Sequence, residues 1–364
     1  MPIYMSDHNS IAIAMKSSII SAEYIWVDGD GGLRSKCRIL KTDIDIDHYI
    51  VDRNSCSLFP EWNFDGSSTG QASTGSSEII LRPCYSCPDP FRSDYDCQSS
   101  YLVLCETYEA DRTTPAKNNT RSNANRVFDE KLELEPWFGI EQEYFLRNTD
   151  STLHIAVHGE GKFYCGVGTG NACYRSVAEE HLRCCLYSGL EISGLNGEVG
   201  PAQWEYQIGP SVGISAGDQL LISRYILLRV AENKGLTVDW HPKPYSNSNG
   251  SGCHTNFSTF DTRKPNGLLH IETVHIPRLE EKHDLHMKNY GTDNSKRMTG
   301  TCETAQYEKF SVGRGARDTS IRIGNQTLIE KKGYYEDRRP ASNCDPYVVT
   351  SLIFATAENI EWHE

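Results

Sequence analysis

The apolar positions Phe138, Ile140, Tyr144 and Phe145, with polar residues set between them, give residues 138–145 strand character. Residues two apart on a strand share a face, so Glu141 and Glu143 project side by side. A solvated strand face accounts for one such pair. Carboxylates that close otherwise call for a cation or an arginine between them.

The same reading gives the rest of the chain. Residues 9–22, with Ile11, Ile13, Met15, Ile19 and Ile20, predict a short helix that Ser17 and Ser18 weaken. A hairpin follows over 22–38, with Tyr24 and Trp26 on its first strand and Asp28 to Gly32 supplying the turn. Residues 58–75 read as a polar Gly/Ser-rich loop with one aromatic knot, and Asp65 in it as a turn residue or a loop-borne carboxylate over a site. Strands are expected at 78–82 and 101–108. Polarity rises over 109–121, which places a domain boundary near 112 and divides the chain into 1–112 and 113–364. Helices are expected at 120–135, 176–189, 216–233 (amphipathic), 277–290 and over the last twenty residues.

Several further acidic and basic residues sit in distinctive settings. Glu198 and Glu205 bracket a turn at Gly200-Pro201, and an antiparallel return through Trp204, Tyr206 and Ile208 would bring them together. Carboxylates seated among aromatics are costly to bury unpaired. A glycine-rich turn from Asn249 delivers His254 to the start of a strand, either as a hydrogen-bonded core histidine or as a metal ligand beside the glutamates. Glu303 lies in a polar loop, and Glu336 and Arg338 share a strand face as an ion pair or as part of a site. The expectation is that Glu141, Glu143, Glu198, Glu205, His254 and Glu336 converge on divalent metal.

Composition narrows the classes. A net charge of −13 gives no electrostatic support to a nucleic-acid partner. No apolar run approaches the ~20 residues of a membrane helix, and no signal peptide is visible. The 13 cysteines then read as free thiols in a reducing compartment, which points to the cytoplasm. Cys84 and Cys87 form a lone C-x-x-C without the second pair a zinc site needs. Cys165-Gly-Val-Gly-Thr-Gly170 fails as a dinucleotide fingerprint, because its third glycine comes too early and no βαβ unit surrounds it.

The stretches W-N-F-D-G-S-S-T, W-F-G-I-E-Q-E-Y, P-A-Q-W-E-Y-Q-I-G-P, G-C-H-T-N-F-S-T, S-I-R-I and G-Y-Y-E-D-R-R-P-A-S-N-C-D-P-Y resemble eukaryotic-type (class II) glutamine synthetases, fungal ones above all. The resemblance runs from about residue 22 to the end. It implies an α+β fold: a small N-terminal β-grasp domain, then a larger α/β catalytic domain whose curved antiparallel sheet surrounds a metal-containing funnel. It implies ATP-dependent amidation of L-glutamate by ammonium through γ-glutamyl phosphate. It also implies homo-oligomeric pentameric rings, usually decamers, with active sites between subunits. By the family pattern Glu143, Glu198 and Glu205 hold one Mg²⁺ or Mn²⁺, and Glu141, His254 and Glu336 another. Arg297, Arg317 and Arg338 face glutamate and the transferring phosphate. The nucleotide is met by Arg322 and Arg317, by Glu141 and Glu205, and by Asn256, Phe257, Ser258 and Tyr334. Asn249 and Gly250 lie near the amino acid, Glu303 sits on a closing flap, and Asp65 reaches a neighbouring subunit's site to bind and deprotonate ammonium.

The chain departs from that pattern in places. Thr301-Cys302 replaces Arg-His before the flap glutamate, and residues 314–319 around Arg317 differ. Asn196-Gly-Glu-Val-Gly200 stands for Asn-Ala-Glu-Val-Met, and residues 147–162 replace a Gly/Pro-rich stretch. The ligands and arginines remain while the flap does not match, so metal binding is the firmer expectation. An impaired paralogue acting as sensor or assembly subunit, or a ligase for another acid or amine, are the alternatives.

Overall fold

The computed structural model describes residues 18–42, 56–92, 99–149, 162–246 and 248–363. The chain forms two antiparallel-rich sheets covered by helices. The first is five-stranded and is built from β1 (Ser18–Val27), β2 (Leu33–Thr42), β3 (Trp62–Asp65), β4 (Glu78–Pro88) and β5 (Ser99–Tyr108), in the order β2-β1-β5-β4-β3. Its central pair, β1 and β5, is parallel, and the remaining pairs are antiparallel. Its central strands, over residues 20–26 and 101–105, are buried on both faces. Leu102 and Leu104 of β5 join the main core of the molecule, while Tyr101, Val103 and Cys105 pack with Tyr24, Trp26 and Phe59 in a separate core.

The second sheet is eight-stranded. It contains β6 (Trp137–Asn148), β7 (Ile192–Gly197), β8 (Gln203–Val212), β9 (Leu236–Asp239), β10 (Cys253–Ser258), β11 (Val312–Arg314), β12 (Ile321–Ile323) and β13 (Tyr335–Asp337). The order is β11-β12-β13-β10-β6-β8-β7, with β9 also paired to β6. Helices α1 (Thr120–Glu130), α2 (Arg175–Tyr187), α3 (Ile214–Asn233) and α4 (Pro346–Glu358) cover it. Among the described residues no helix is long and apolar enough to cross a membrane.

The structure corrects four readings. The helix expected over 9–22 falls outside the described residues up to position 17, and from Ser18 the chain is already strand β1. The isoleucines there satisfy either period, and pairing with β2 and β5 decides for strand. The loop expected over 58–75 contains β3, which pairs with β4 from Trp62↔Leu81 to Asp65↔Glu78. The helix expected at 277–290 is broken at Lys282 into Ile276–Glu281 and His283–Asn289, and a π-turn at Ile271–His275 precedes it.

The fourth concerns α3, expected to be amphipathic and instead buried on every side from Ala216 to Leu227. Its polar residues are satisfied internally. Asp218 pairs with Arg121 at 2.8 Å, Ser223 Oγ lies 2.8 Å from Tyr206 Oη, and Arg224 donates to Gln142 Oε1 at 2.6 and 2.8 Å. Gln142 is the residue between Glu141 and Glu143. The inner face of β6 is thereby fixed to α3 while its glutamates face away.

Candidate active site

Strand register assembles the acidic residues. On β6, Glu143 lies opposite Glu205 of β8, and Glu141 lies opposite His254 of β10. On β13, Glu336 lies opposite Asn256 of β10 and Arg322 of β12. Glu198 follows β7, and its backbone N–H donates to Gln203 O at 2.9 Å across the Gly200-Pro201 turn. Two ligand groups result, Glu143–Glu198–Glu205 and Glu141–His254–Glu336, each with its donor atoms within 4.8 Å of one another. His254 Nδ1 joins them, at 3.7 Å from Glu141, 3.8 Å from Glu143 and 3.7 Å from Glu336.

The glycine turn before His254 has a steric reason. A Cβ on Gly252 would lie 2.6 Å from His254 Nε2, and one on Gly250 would lie 2.2 Å from Pro242 O. Gly252 N–H donates to Glu143 Oε2 at 2.8 Å, and Gln203 Nε2 reaches the same oxygen at 3.3 Å. Asn256 Nδ2 donates to Glu141 Oε1 at 2.8 Å.

β13 sorts its charges by face. Glu336 turns toward His254 and is bridged by Arg338 at 2.6 Å and Arg322 at 2.8 Å. Asp337 and Arg339 turn inward and pair at 2.7 Å in the core. The pairing of Glu336 with Arg338 and its convergence with His254 coexist on that strand face.

Glu141, Glu143, Glu198, Glu205 and His254 line a cavity of about 760 Å³, which also receives Asn249, Cys302, Glu303, Arg317 and Arg338. A smaller recess behind it is bordered by Gly250 and Arg297. The Arg297 guanidinium is buried and donates to the carbonyls of Arg338, Arg339 and Pro340. Arg338 donates to the carbonyls of Arg317, at 2.9 Å, and Glu303, at 3.3 Å. Cys302 and Glu303 hold left-handed backbone, with φ of 53° and 61°, a conformation that costs non-glycine residues energy.

A second cavity of about 450 Å³ lies beyond Glu141, which borders both. It is more apolar and is lined by Trp137, Ile140, Asn256, Phe257, Ser258, Arg263 and Tyr334. The Arg263 guanidinium lies 4.2 Å from the Trp137 ring centroid.

Asp65 is not brought to either cavity of this chain. It is fully exposed at the end of β3 and caps the turn after it, accepting from Ser67 N–H at 3.0 Å and Ser67 Oγ at 2.6 Å. Cys165–Gly170 is a turn, and Cys84 and Cys87 lie on β4 without a disulfide. Most of the unusual segment 147–162 lies outside the described residues. Sequence reasoning missed Gln203, Trp137, Arg263 and Tyr164, which also line or support the cavities. Gln203 flanks the recognised Trp204-Glu205 block; a lone arginine at 263 carries no local signal.

The electrostatics fit a cation. Burial raises the Glu143 carboxyl to about 8, with the Glu198 charge adding to it. Burial and the charges of Glu143 and Glu141 raise Glu205 to about 9. Burial also raises Glu198, and burial together with Arg338 holds His254 well below its ordinary value, as a neutral imidazole. Oxygen-rich sites with one imidazole suit Mg²⁺ or Mn²⁺, so the donor set fits.

These shifts set a sign for stability. Carboxylates raised in the folded state lose their contribution as pH rises from the ordinary 4.5 through 8 to 9. His254, depressed from 6.5, works the other way only below that value. In chelator, the apparent unfolding temperature is therefore expected to fall between pH 6.5 and 9, and saturating Mg²⁺ to remove most of the fall. A flat profile in chelator would show that the carboxylates are not strained by one another.

Comparison with known proteins agrees with this arrangement. A glutamine synthetase catalytic-domain family model matches residues 117–273. A glutamine synthetase of Candida glabrata is 48% identical over 93% of this chain and 88% of its own length. Those of Saccharomyces cerevisiae and Agaricus bisporus are 47% and 46% identical over 93% of this chain, and over 89% and 93% of theirs. With this identity across nearly its whole length, and with the acidic and imidazole clusters folded onto one sheet, the chain belongs to the glutamine synthetase family.

Proposed function

We propose that the protein forms L-glutamine from L-glutamate, ammonium and ATP. The observation that carries this reading is the shared wall at Glu141, between a cavity ringed by carboxylates, His254 and arginines and a second, aromatic one. A nucleotide would set its base near Trp137, Phe257 and Tyr334 and run its phosphates past Glu141 toward Arg317, Arg322 and Arg338. Glutamate would lie by Asn249 and Gly250, its carboxylate facing Arg297, Arg317 and Arg338, since arginine offers the bidentate fork that carboxylate and phosphate take.

Glu143, Glu198 and Glu205 would hold one divalent cation, and Glu141, His254 and Glu336 another. When bound, such cations neutralise phosphate oxygens. The γ-phosphoryl group passes from ATP to the glutamate side-chain carboxylate, releasing ADP. Ammonia then attacks the acyl carbon and phosphate leaves. Asp65 of a neighbouring subunit and Glu303 would bind ammonium and take its proton, which fits the exposed position of Asp65. The flap around Glu303 would exclude water from the acyl phosphate.

We also read residues 1–112 and 113–364 as separate domains. The first sheet ends at Tyr108 and the helices of the second layer begin at Thr120. Pentameric rings in the cytoplasm complete the proposal.

Purified protein with ATP, Mg²⁺, glutamate and ammonium is expected to release glutamine and phosphate in equal amounts. Omission of Mg²⁺ should abolish both. Nucleotide binding without turnover would replace the enzyme by an impaired paralogue, and preference for another acid or amine would change the substrate.

A further inference from the structure

A third metal-ligating group stands outside the two cavities. His270, His275 and Glu358 each place a ring nitrogen or carboxylate oxygen within 4.8 Å of the others. His270 ends the short helix Gly267–His270, His275 ends the π-turn Ile271–His275, and Glu358 is the last residue of α4.

The π-turn is what brings the two imidazoles together. In an α-helix, residues five apart project about 140° from each other. The wider turn closes on an i to i+5 hydrogen bond, here Ile276 N–H to Ile271 O, and returns the fifth residue toward the first. The His270 and His275 rings lie edge to face, with centroids 4.8 Å apart. Such turns carry a cost in packing and hydrogen-bond geometry, and they concentrate at functional positions.

The group is under-satisfied at His270 Nε2, whereas the orphan Nδ1 of His275 is the ring nitrogen that does not meet Glu358. His275 is fully buried, with Nε2 at 3.1 Å from Glu358 Oε1, while its Nδ1 has no hydrogen-bond partner. His270 Nε2 is also buried without a partner. Buried ring nitrogens are ordinarily paired. The ring of His275 is held in place by Phe257, stacked at 6.1 Å, and by Tyr335 at 5.9 Å edge to face.

We propose that His270, His275 and Glu358 form a transition-metal site of the zinc class, which pins the end of α4 to the π-turn. Two imidazoles and one carboxylate are a donor set that Zn²⁺ accepts, with a fourth position for water on the partly exposed side of His270. The 3.1 Å between His275 Nε2 and Glu358 Oε1 is close to the spacing of two ligands on one tetrahedral ion. Phe257 and Tyr335 adjoin Asn256 and Glu336, so the pin would stiffen strands that carry the catalytic cavity. None of its three ligands is among the residues assigned to glutamine formation.

The test counts metal rather than activity. Full-length protein is dialysed against buffered Zn²⁺ and its zinc measured by elemental analysis, beside His270→Gln, Glu358→Gln and Glu336→Ala. The expected result is one zinc fewer per chain in His270→Gln and in Glu358→Gln than in the unaltered protein. Glu336→Ala should keep that zinc, and in its background Zn²⁺ should raise the unfolding temperature unless His270 is also replaced. Circular dichroism in chelator shows whether each variant folds; His270 is only partly buried, so its variant carries the test if Glu358→Gln does not fold. Equal zinc counts in folded His270→Gln and unaltered protein would overturn the proposal, as would equal counts in folded Glu336→Ala with and without His270→Gln.

Discussion

Glu143→Gln is expected to lower the rate of glutamine formation about 10²–10³-fold, the range seen when one charge-stabilising group is removed from an active site. In the chelated protein it should at the same time raise the apparent unfolding temperature at pH 8. Both outcomes come from one position. Glu143 shares a ligand group with Glu198 and Glu205 and lies 3.8 Å from His254 of the other group. Without a cation, its charge sits buried beside two other carboxylates. An amide keeps an acceptor oxygen for Gly252 N–H while removing the repulsion. Active sites commonly hold such strain because function needs it. The check is a pair of measurements: glutamine release at saturating Mg²⁺, and thermal unfolding in chelator with and without added Mg²⁺. If the variant in chelator melts lower than the unaltered protein, mutual repulsion is not what burdens this cluster.

The site was legible where chemistry and period coincide. A period of two placed Glu141 and Glu143 on one face, and the glycines before His254 marked a turn that proved to be sterically required. Glu198 and Glu205 were legible because Gly200-Pro201 announces the reversal between them.

Other parts were opaque for definite reasons. The four residues of β3 lie between Pro60 and a Gly/Ser run, too short to show alternation before β4 pairs with them. Ile19 and Ile20 suit helix and strand alike until β2 and β5 are in place. The polar residues of α3 imitate a solvated face, yet Asp218, Ser223 and Arg224 each meet a partner far away in sequence. Nothing local marks Trp137 and Arg263 as neighbours across the second cavity, because their approach depends on how β6 packs against the helix after β10.

The last of those buried groups gives the other large effect. Arg224→Met is expected to destabilise the protein by about 3 kcal/mol, from several buried acceptors that each cost about 1–3 kcal/mol when left unpaired, less the relief of no longer burying a charge. The guanidinium donates twice to Gln142 Oε1, to Cys344 O at 2.8 Å and to Ser342 O at 3.0 Å, and no carboxylate accepts from it among these partners. Methionine fills much of the space but satisfies none of these oxygens. Activity should fall too, even where the variant remains folded. Gln142 sets the height of β6 between Glu141 and Glu143, and a displacement of about 1 Å at a catalytic group can cost about 10²-fold. The comparison is Arg126→Met, which breaks an exposed helical pair with Glu130 and solvent-side bonds to Asn123 and the Glu361 carbonyl; a loss of at most about 1 kcal/mol is expected there. Denaturant midpoints and glutamine rates for the two variants separate the cases. If Arg224→Met proves as stable as the unaltered protein, the cost of desolvating the guanidinium matches all that its hydrogen bonds return, and Gln142 keeps its place without it.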